Sequence, residues 1–142
     1  MTDPITQTFH ASTVAIDGSA VLIQGRSGSG KSDLALRLID RGATLVSDDY
    51  TLIVLHDGVL LASPPNTIAG RMEVRGVGIV DMFAVENVPV ALIVCLDEPT
   101  PRMPEPRTRR IAGISVREVA LDAFEASAPL KVELALRQGI RT

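Results

Sequence analysis

Gly25-Arg26-Ser27-Gly28-Ser29-Gly30-Lys31-Ser32 is the stretch on which the reading of this chain turns. It fits the spacing G-x-x-x-x-G-K-[ST], the signature of a phosphate-cradling P-loop. Glycine lets successive backbone N–H groups point inward and form an anion nest. A helix N-terminus just downstream adds partial positive charge. In such a loop Lys31 reaches the β- and γ-phosphates, and the Ser32 hydroxyl sits on Mg²⁺. The nucleotide-binding residues expected here are therefore Gly25, Arg26, Ser27, Gly28, Ser29, Gly30, Lys31 and Ser32.

The flanks supply the strand–loop–helix context that the motif requires. Ala20 to Gln24 carries the apolar run Val21-Leu22-Ile23 and predicts a strand. It returns from an earlier strand, Phe9 to Ile16, through the turn Asp17-Gly18. Lys31 to Arg41 predicts a helix, with Leu34, Leu38 and Ile39 facing the sheet and Gly42 as its stop. Ala43 to Val46 is a short buried strand. Tyr50 to Leu55 and Val59 to Ala62 form a second hairpin around His56-Asp57-Gly58. Pro89 to Leu96 reads as a core strand and Asp97 to Arg110 as a proline-rich loop. Ile111 to Leu121 is extended, and Pro129 to Arg137 is a closing helix that packs Leu130, Val132, Leu134 and Leu136 into the core. Strands and helices do not strictly alternate, so the fold expected is α/β with a mixed sheet.

Bulk properties narrow the function classes. At 142 residues and 46% hydrophobic composition, the chain is expected to form one domain, 1–142, with a core of its own. A net charge of −3 speaks against a general nucleic-acid binder. The lone Cys95, in Leu92-Ile93-Val94-Cys95-Leu96, reads as a small buried hydrophobe rather than half of a disulfide. Met1-Thr2-Asp3-Pro4 opens no secretory signal, and no apolar run approaches about 20 residues. The expectation is a cytoplasmic protein without membrane association.

Two further constellations point to chemistry. Asp48 and Asp49 follow a short apolar strand. In P-loop enzymes an acid at such a strand end holds Mg²⁺, and a second acid beside it can take a proton from an attacking hydroxyl. A solvated turn leading into the next hairpin is the alternative. Glu73-Val74-Arg75-Gly76-Val77-Gly78-Ile79-Val80-Asp81 is glycine-punctuated, which suggests a special backbone path near a ligand or partner. Within it Glu73 suits a metal and Arg75 suits a phosphate; an ordinary surface loop is again the alternative.

His10, the P-loop, Leu45-Val46-Ser47-Asp48-Asp49 and Glu73-Val74-Arg75-Gly76-Val77-Gly78-Ile79, in that order, resemble the catalytic domain of the HPr kinase/phosphorylase family. The resemblance runs from about His10 to Asp81, and the segment beginning at Glu73 is its most specific part. It implies a P-loop variant similar to the nucleotide-binding part of phosphoenolpyruvate carboxykinase. It also implies an ATP-dependent kinase acting on a serine of HPr, or of a nitrogen-type HPr paralogue, and phosphorolysis of that phosphoserine by inorganic phosphate. By the same resemblance Asp49 is the proton carrier, Asp48 and Glu73 join Ser32 at the metal, and His10 orients the acid pair. With Lys31, Asp49 and His10 make up the implied catalytic set.

The chain departs from the family at several points. Well-studied members carry an additional N-terminal domain and a longer helical C-terminal region that contributes to oligomers. The chain therefore looks like a short form, and a homo-oligomer remains open. Asp33 stands where the family has Glu. The late basic residue near the transferred phosphate is sought among Arg102, Arg107, Arg109 and Arg110, with Arg107 carried forward. A small-molecule P-loop kinase and a non-catalytic ATP-binding regulatory module remain as alternative readings.

Overall fold

The computed structural model describes residues 5–140; Met1 to Pro4, read above for targeting signals, lie outside the described residues. The strands are β1 (Ile5–Phe9), β2 (Ala11–Ile16), β3 (Ser19–Gln24), β4 (Thr44–Ser47), β5 (Thr51–His56), β6 (Val59–Ser63), β7 (Arg71–Val74), β8 (Gly78–Asp81), β9 (Val88–Cys95), β10 (Arg107–Ile111) and β11 (Ile114–Ala120). Two helices accompany them, α1 (Lys31–Asp40) and α2 (Ala128–Ile140). No helix among the described residues is long and apolar enough to cross a membrane.

β9 is the strand at which the sheet divides. On one side it runs parallel to β3, which continues to β2 and β4. On the other, its first residues pair with β6 and its last four with β11. The parallel trio β3–β9–β11 is the part that carries the P-loop, and the remaining pairings are antiparallel. The sheet is therefore mixed, as the uneven alternation of elements predicted.

Period-two alternation divides the core into two layers. Val14, Val21, Ile23, Leu92 and Val94 face α1 and α2, meeting Leu34, Leu38, Val132 and Leu136. Leu22, Ile93 and Cys95 face the other way and are closed over by Ile53, Leu60 and Val116. Each fully buried leucine or isoleucine contributes about 1.5–3 kcal/mol, so both faces hold β3 and β9 in place.

Four expectations are corrected. Phe9 to Ile16 is not one strand: it breaks at a bend on His10, because β1 pairs with β5 while β2 pairs with β3 and β4. The Gly-punctuated segment is a separate two-stranded hairpin, β7–β8, rather than a loop. The proline-rich stretch ends early, since Arg107 to Ile111 pairs antiparallel with β11. In α2, Val132 and Leu136 are buried but Leu130 and Leu134 are exposed, so one apolar stripe of the helix faces away from the core.

Cys95 is buried, and burial, reinforced by its hydrogen bond to Glu118, pushes the thiol up to about 11. Raising that value favours the neutral thiol and leaves roughly a hundredfold less thiolate at pH 8 than a free cysteine carries. Iodoacetamide should accordingly alkylate the folded chain slowly at pH 8 and faster only as the pH nears 11. Rapid adduct formation at pH 8, followed by intact mass, would contradict this placement.

Candidate functional site

The β1–β5 and β2–β4 ladders meet at one corner, and this builds the site. Phe9 lies opposite Thr51, and Thr13 lies opposite Ser47. The residues between, 10–12 and 48–50, therefore face each other across the bend. Ser12 Oγ donates to Asp48 Oδ1 at 3.0 Å and accepts the Asp49 N–H at 3.1 Å. His10 Nε2 meets Asp49 Oδ1 at 2.7 Å, and its ring stacks on Tyr50 with centroids 5.1 Å apart. Below the corner, Thr51 Oγ1 bonds Thr13 Oγ1 and the Ala11 carbonyl.

The two aspartates do different things because the backbone turns between them. Tyr50 N–H donates to Asp48 O at 2.8 Å, closing a three-residue turn around Asp49, which sits at φ 68°. A non-glycine residue there stores about 1–3 kcal/mol of strain. The turn sends the carboxylates apart: Asp48 is buried, while the Asp49 side chain is about half exposed. Asp48 Oδ1 also accepts from Ser32 Oγ at 2.7 Å, and Oδ2 accepts from Glu73 N–H at 3.1 Å. Hydrogen bonds to a charged acceptor contribute about 1.5–3 kcal/mol each, enough together to outweigh the strain at its neighbour.

The P-loop is held from both ends. Gly25 admits no side chain, since a β-carbon there would lie 2.3 Å from Ser29 Oγ. Gly30 starts α1 at φ 95°, and a β-carbon on it would lie 2.9 Å from that of Ala123. Asp97, at the end of β9, accepts the Arg26 N–H at 2.9 Å and its Nε at 3.3 Å. Lys31 is buried and donates to the carbonyls of Gly25 at 2.8 Å and Arg26 at 3.2 Å.

A cavity of about 980 Å³ opens over this assembly. Ser27, Gly28, Gly30, Lys31 and Ser32 line it, as do Asp48, Asp49, Glu73 and Arg75. Most of the sequence-expected residues thus converge; Gly25, Arg26 and Ser29 belong to the loop but are not part of the cavity wall, and His10 and Arg107 also stand apart. His10 touches the site through Asp49. Arg107 lies outside the cavity, held by Glu98 and by Glu118 at 3.1 Å, because the segment read as a proline-rich loop is a strand there. Arg109 is likewise engaged, by Glu118 and Gln24.

Among the described residues no three His, Cys, Asp or Glu side chains cluster as a self-contained metal cage. The juxtaposed Ser32 hydroxyl and Asp48 carboxylate are hard oxygen donors of the kind that suit Mg²⁺ shared with phosphate oxygens and water. Glu73 meets Asp48 through its backbone N–H, and its side chain stands on the exposed rim. Ser12 and Tyr50 were missed by sequence reasoning: a serine in a strand and a tyrosine at a hairpin start carry no motif, and only the shared corner gives them roles.

Fold and site define a P-loop domain with a phosphate cradle facing an acid pair. A search against known families matches residues 4–99 to the HPr Serine kinase C-terminal domain, and the chain belongs to that family. It is 38% identical over 97 residues to an HPr kinase/phosphorylase of Clostridium kluyveri, an alignment covering 63% of this chain and 32% of that protein. It is 47% identical over 74 residues to one from Clostridium botulinum, covering 52% of this chain and 24% of that one. The chain thus spans a third or less of the length of these curated relatives. A solved structure titled as the Hpr(Ser) kinase/phosphatase from Coxiella burnetii superposes with a TM-score of 0.83 at 31% identity, covering 95% of this chain and 91% of that one. The mixed α/β P-loop fold is the one that the sequence predicted.

Ser12→Ala should fold normally and weaken Mg²⁺-dependent pyrophosphate binding about tenfold, since it removes one donor to Asp48 and the acceptor of the Asp49 N–H. Calorimetric titration with and without Mg²⁺ checks this. Wild-type affinity in the variant would make Ser12 a packing residue.

Proposed function

We propose that this chain is an ATP- and Mg²⁺-dependent serine kinase acting on HPr, or on a nitrogen-type HPr paralogue, and that it reverses the transfer with inorganic phosphate. The observation that carries this reading is the division of labour at the corner: Asp48 is locked against Ser32, while Asp49 stays exposed and held by His10. The family membership and the likeness to proteins named HPr kinase/phosphorylase support the choice of substrate. We further read the chain as a single catalytic domain.

The mechanism follows from the side chains. Gly28 to Ser32 receive the β- and γ-phosphates on backbone N–H groups. Lys31 exchanges the Gly25 and Arg26 carbonyls for phosphate oxygens, a stronger, charge-assisted pairing. Ser32 and Asp48 would hold Mg²⁺, with Glu73 as a third oxygen donor from the rim, and a bound metal would supply charge neutralisation on the phosphoryl oxygens. His10 fixes the Asp49 carboxylate through Oδ1, and Asp49 accepts the proton of the attacking seryl hydroxyl. The seryl oxygen bonds to the γ-phosphorus as the bond to the β–γ bridging oxygen breaks, giving phosphoserine and ADP. In reverse, a phosphate oxygen bonds to the phosphoserine phosphorus, the bond to the seryl oxygen breaks, protonated Asp49 returns the proton, and pyrophosphate leaves. Arg75, on the cavity wall at the β7–β8 turn, is suited to hold the incoming phosphate.

Asp49→Asn retains a residue tolerant of positive φ but cannot take a proton. It should bind ATP with near wild-type affinity and lower transfer to an HPr-type carrier by about 10²–10⁴-fold, read from the carrier's intact mass. Transfer at the wild-type rate would remove Asp49 from the chemistry.

Arg75→Ala should slow phosphorolysis more than phosphorylation, measured as pyrophosphate release from phosphorylated carrier against carrier mass gain. Equal, near wild-type rates in both directions would reduce Arg75 to a hairpin residue.

A further inference from the structure

The wall of the phosphate cavity includes apolar side chains that the proposed chemistry does not use. Phe124 lies there with 74% of its surface exposed, in a chain where aromatic residues make up only 3%. Its ring lies over the start of α1: Cε1 and Cζ come within 3.5 and 3.6 Å of where a β-carbon on Gly30 would stand. Leu36 of α1 and Val77 of the β7–β8 turn share this cavity with it.

The backbone under Phe124 is tied down. Phe124 N–H donates to Asp122 Oδ1 at 2.9 Å. The Arg37 guanidinium donates to the carbonyls of Ala123 and, at 3.2 Å, Glu125. Lys131 pairs with Glu125 at 2.6 Å. The segment follows β11, which is parallel to β9, which is parallel to β3. Phe124 and the P-loop therefore stand together beyond the carboxyl ends of the parallel strands, where open α/β sheets place their ligands.

We propose that Phe124 is the nucleoside-binding residue of this chain, stacking the purine base of the nucleoside triphosphate whose phosphates lie on Gly28 to Ser32. The inference rests on the phosphate-binding reading of that loop and adds the base to it. The polar groups of the lining, Lys31, Ser32 and Asp48, suit the phosphates rather than a base. Beside the phosphate loop a flat, exposed ring on a pinned backbone offers a π-face at low entropic cost. Phe124 also lies beyond residue 99, where the family match ends, so the motifs that define the phosphate site do not include it.

The test compares adenylyl imidodiphosphate with tripolyphosphate, which has three phosphates and no nucleoside, by calorimetry on the full chain with Mg²⁺. Phe124→Ala should weaken the nucleotide roughly tenfold or more and leave tripolyphosphate unchanged. An unchanged nucleotide affinity, or an equal loss for both ligands, overturns the proposal. Wild-type protein that binds neither ligand overturns the phosphate-site reading and this one with it. Phe124→Trp gives a chain that otherwise lacks tryptophan a single fluorophore at the site. The nucleotide should quench it and tripolyphosphate should not; no quenching by the nucleotide counts against the stack.

Discussion

The Asp48 carboxylate is the interaction on which the rest of the site depends. It gathers donors from three separate elements: Ser12 on β2, Ser32 at the start of α1, and the Glu73 amide on β7. Without it, the P-loop, the sheet corner and the β7–β8 hairpin have no common anchor. A carboxylate buried beside three donors tolerates burial because most of its lone pairs are satisfied, with Oδ2 keeping a position open. The same oxygens are the ones a hard cation would use, so the anchor and the metal site are one group.

Strain and exposure then separate the neighbouring acid. Asp49 is held at positive φ by the turn that Tyr50 closes, and its partner His10 is held by the stack on Tyr50. The His10–Asp49 contact is largely exposed, so its contribution to stability is small. What it contributes is orientation of a carboxylate that remains accessible. Two adjacent residues of one type thus acquire opposite environments, one closed and the other open to solvent.

The second half of the chain supports this arrangement from behind. Asp97 ties the P-loop to the end of β9, and Arg37 ties α1 to the segment between β11 and α2. Glu118 collects Arg107, Arg109 and the Cys95 thiol, which consumes the basic residues that otherwise suit a phosphate clamp. Arg107 and Arg109 are thus committed to the β10–β11 pair. Arg75, carried on the hairpin across the cavity, is left as the guanidinium on the cavity wall.

What the sequence alone determined is local: glycines at fixed intervals, a lysine and a serine at the head of a helix, apolar residues alternating along β3 and β9. These are read directly because each depends on neighbours within a few residues. The mixed sheet and the placement of Lys31 and Ser32 at the head of α1 belong to this class. The strand break at His10, the pairing of Arg107 and the exposure of Leu130 and Leu134 do not, since each depends on which strand or helix lies alongside. Ser12 and Phe124 acquire their positions in the same way. Only the tertiary structure brings residues 36 and 94 positions apart to Asp48 and Gly30, because side-chain contacts across a folded sheet leave no period in the chain that forms them.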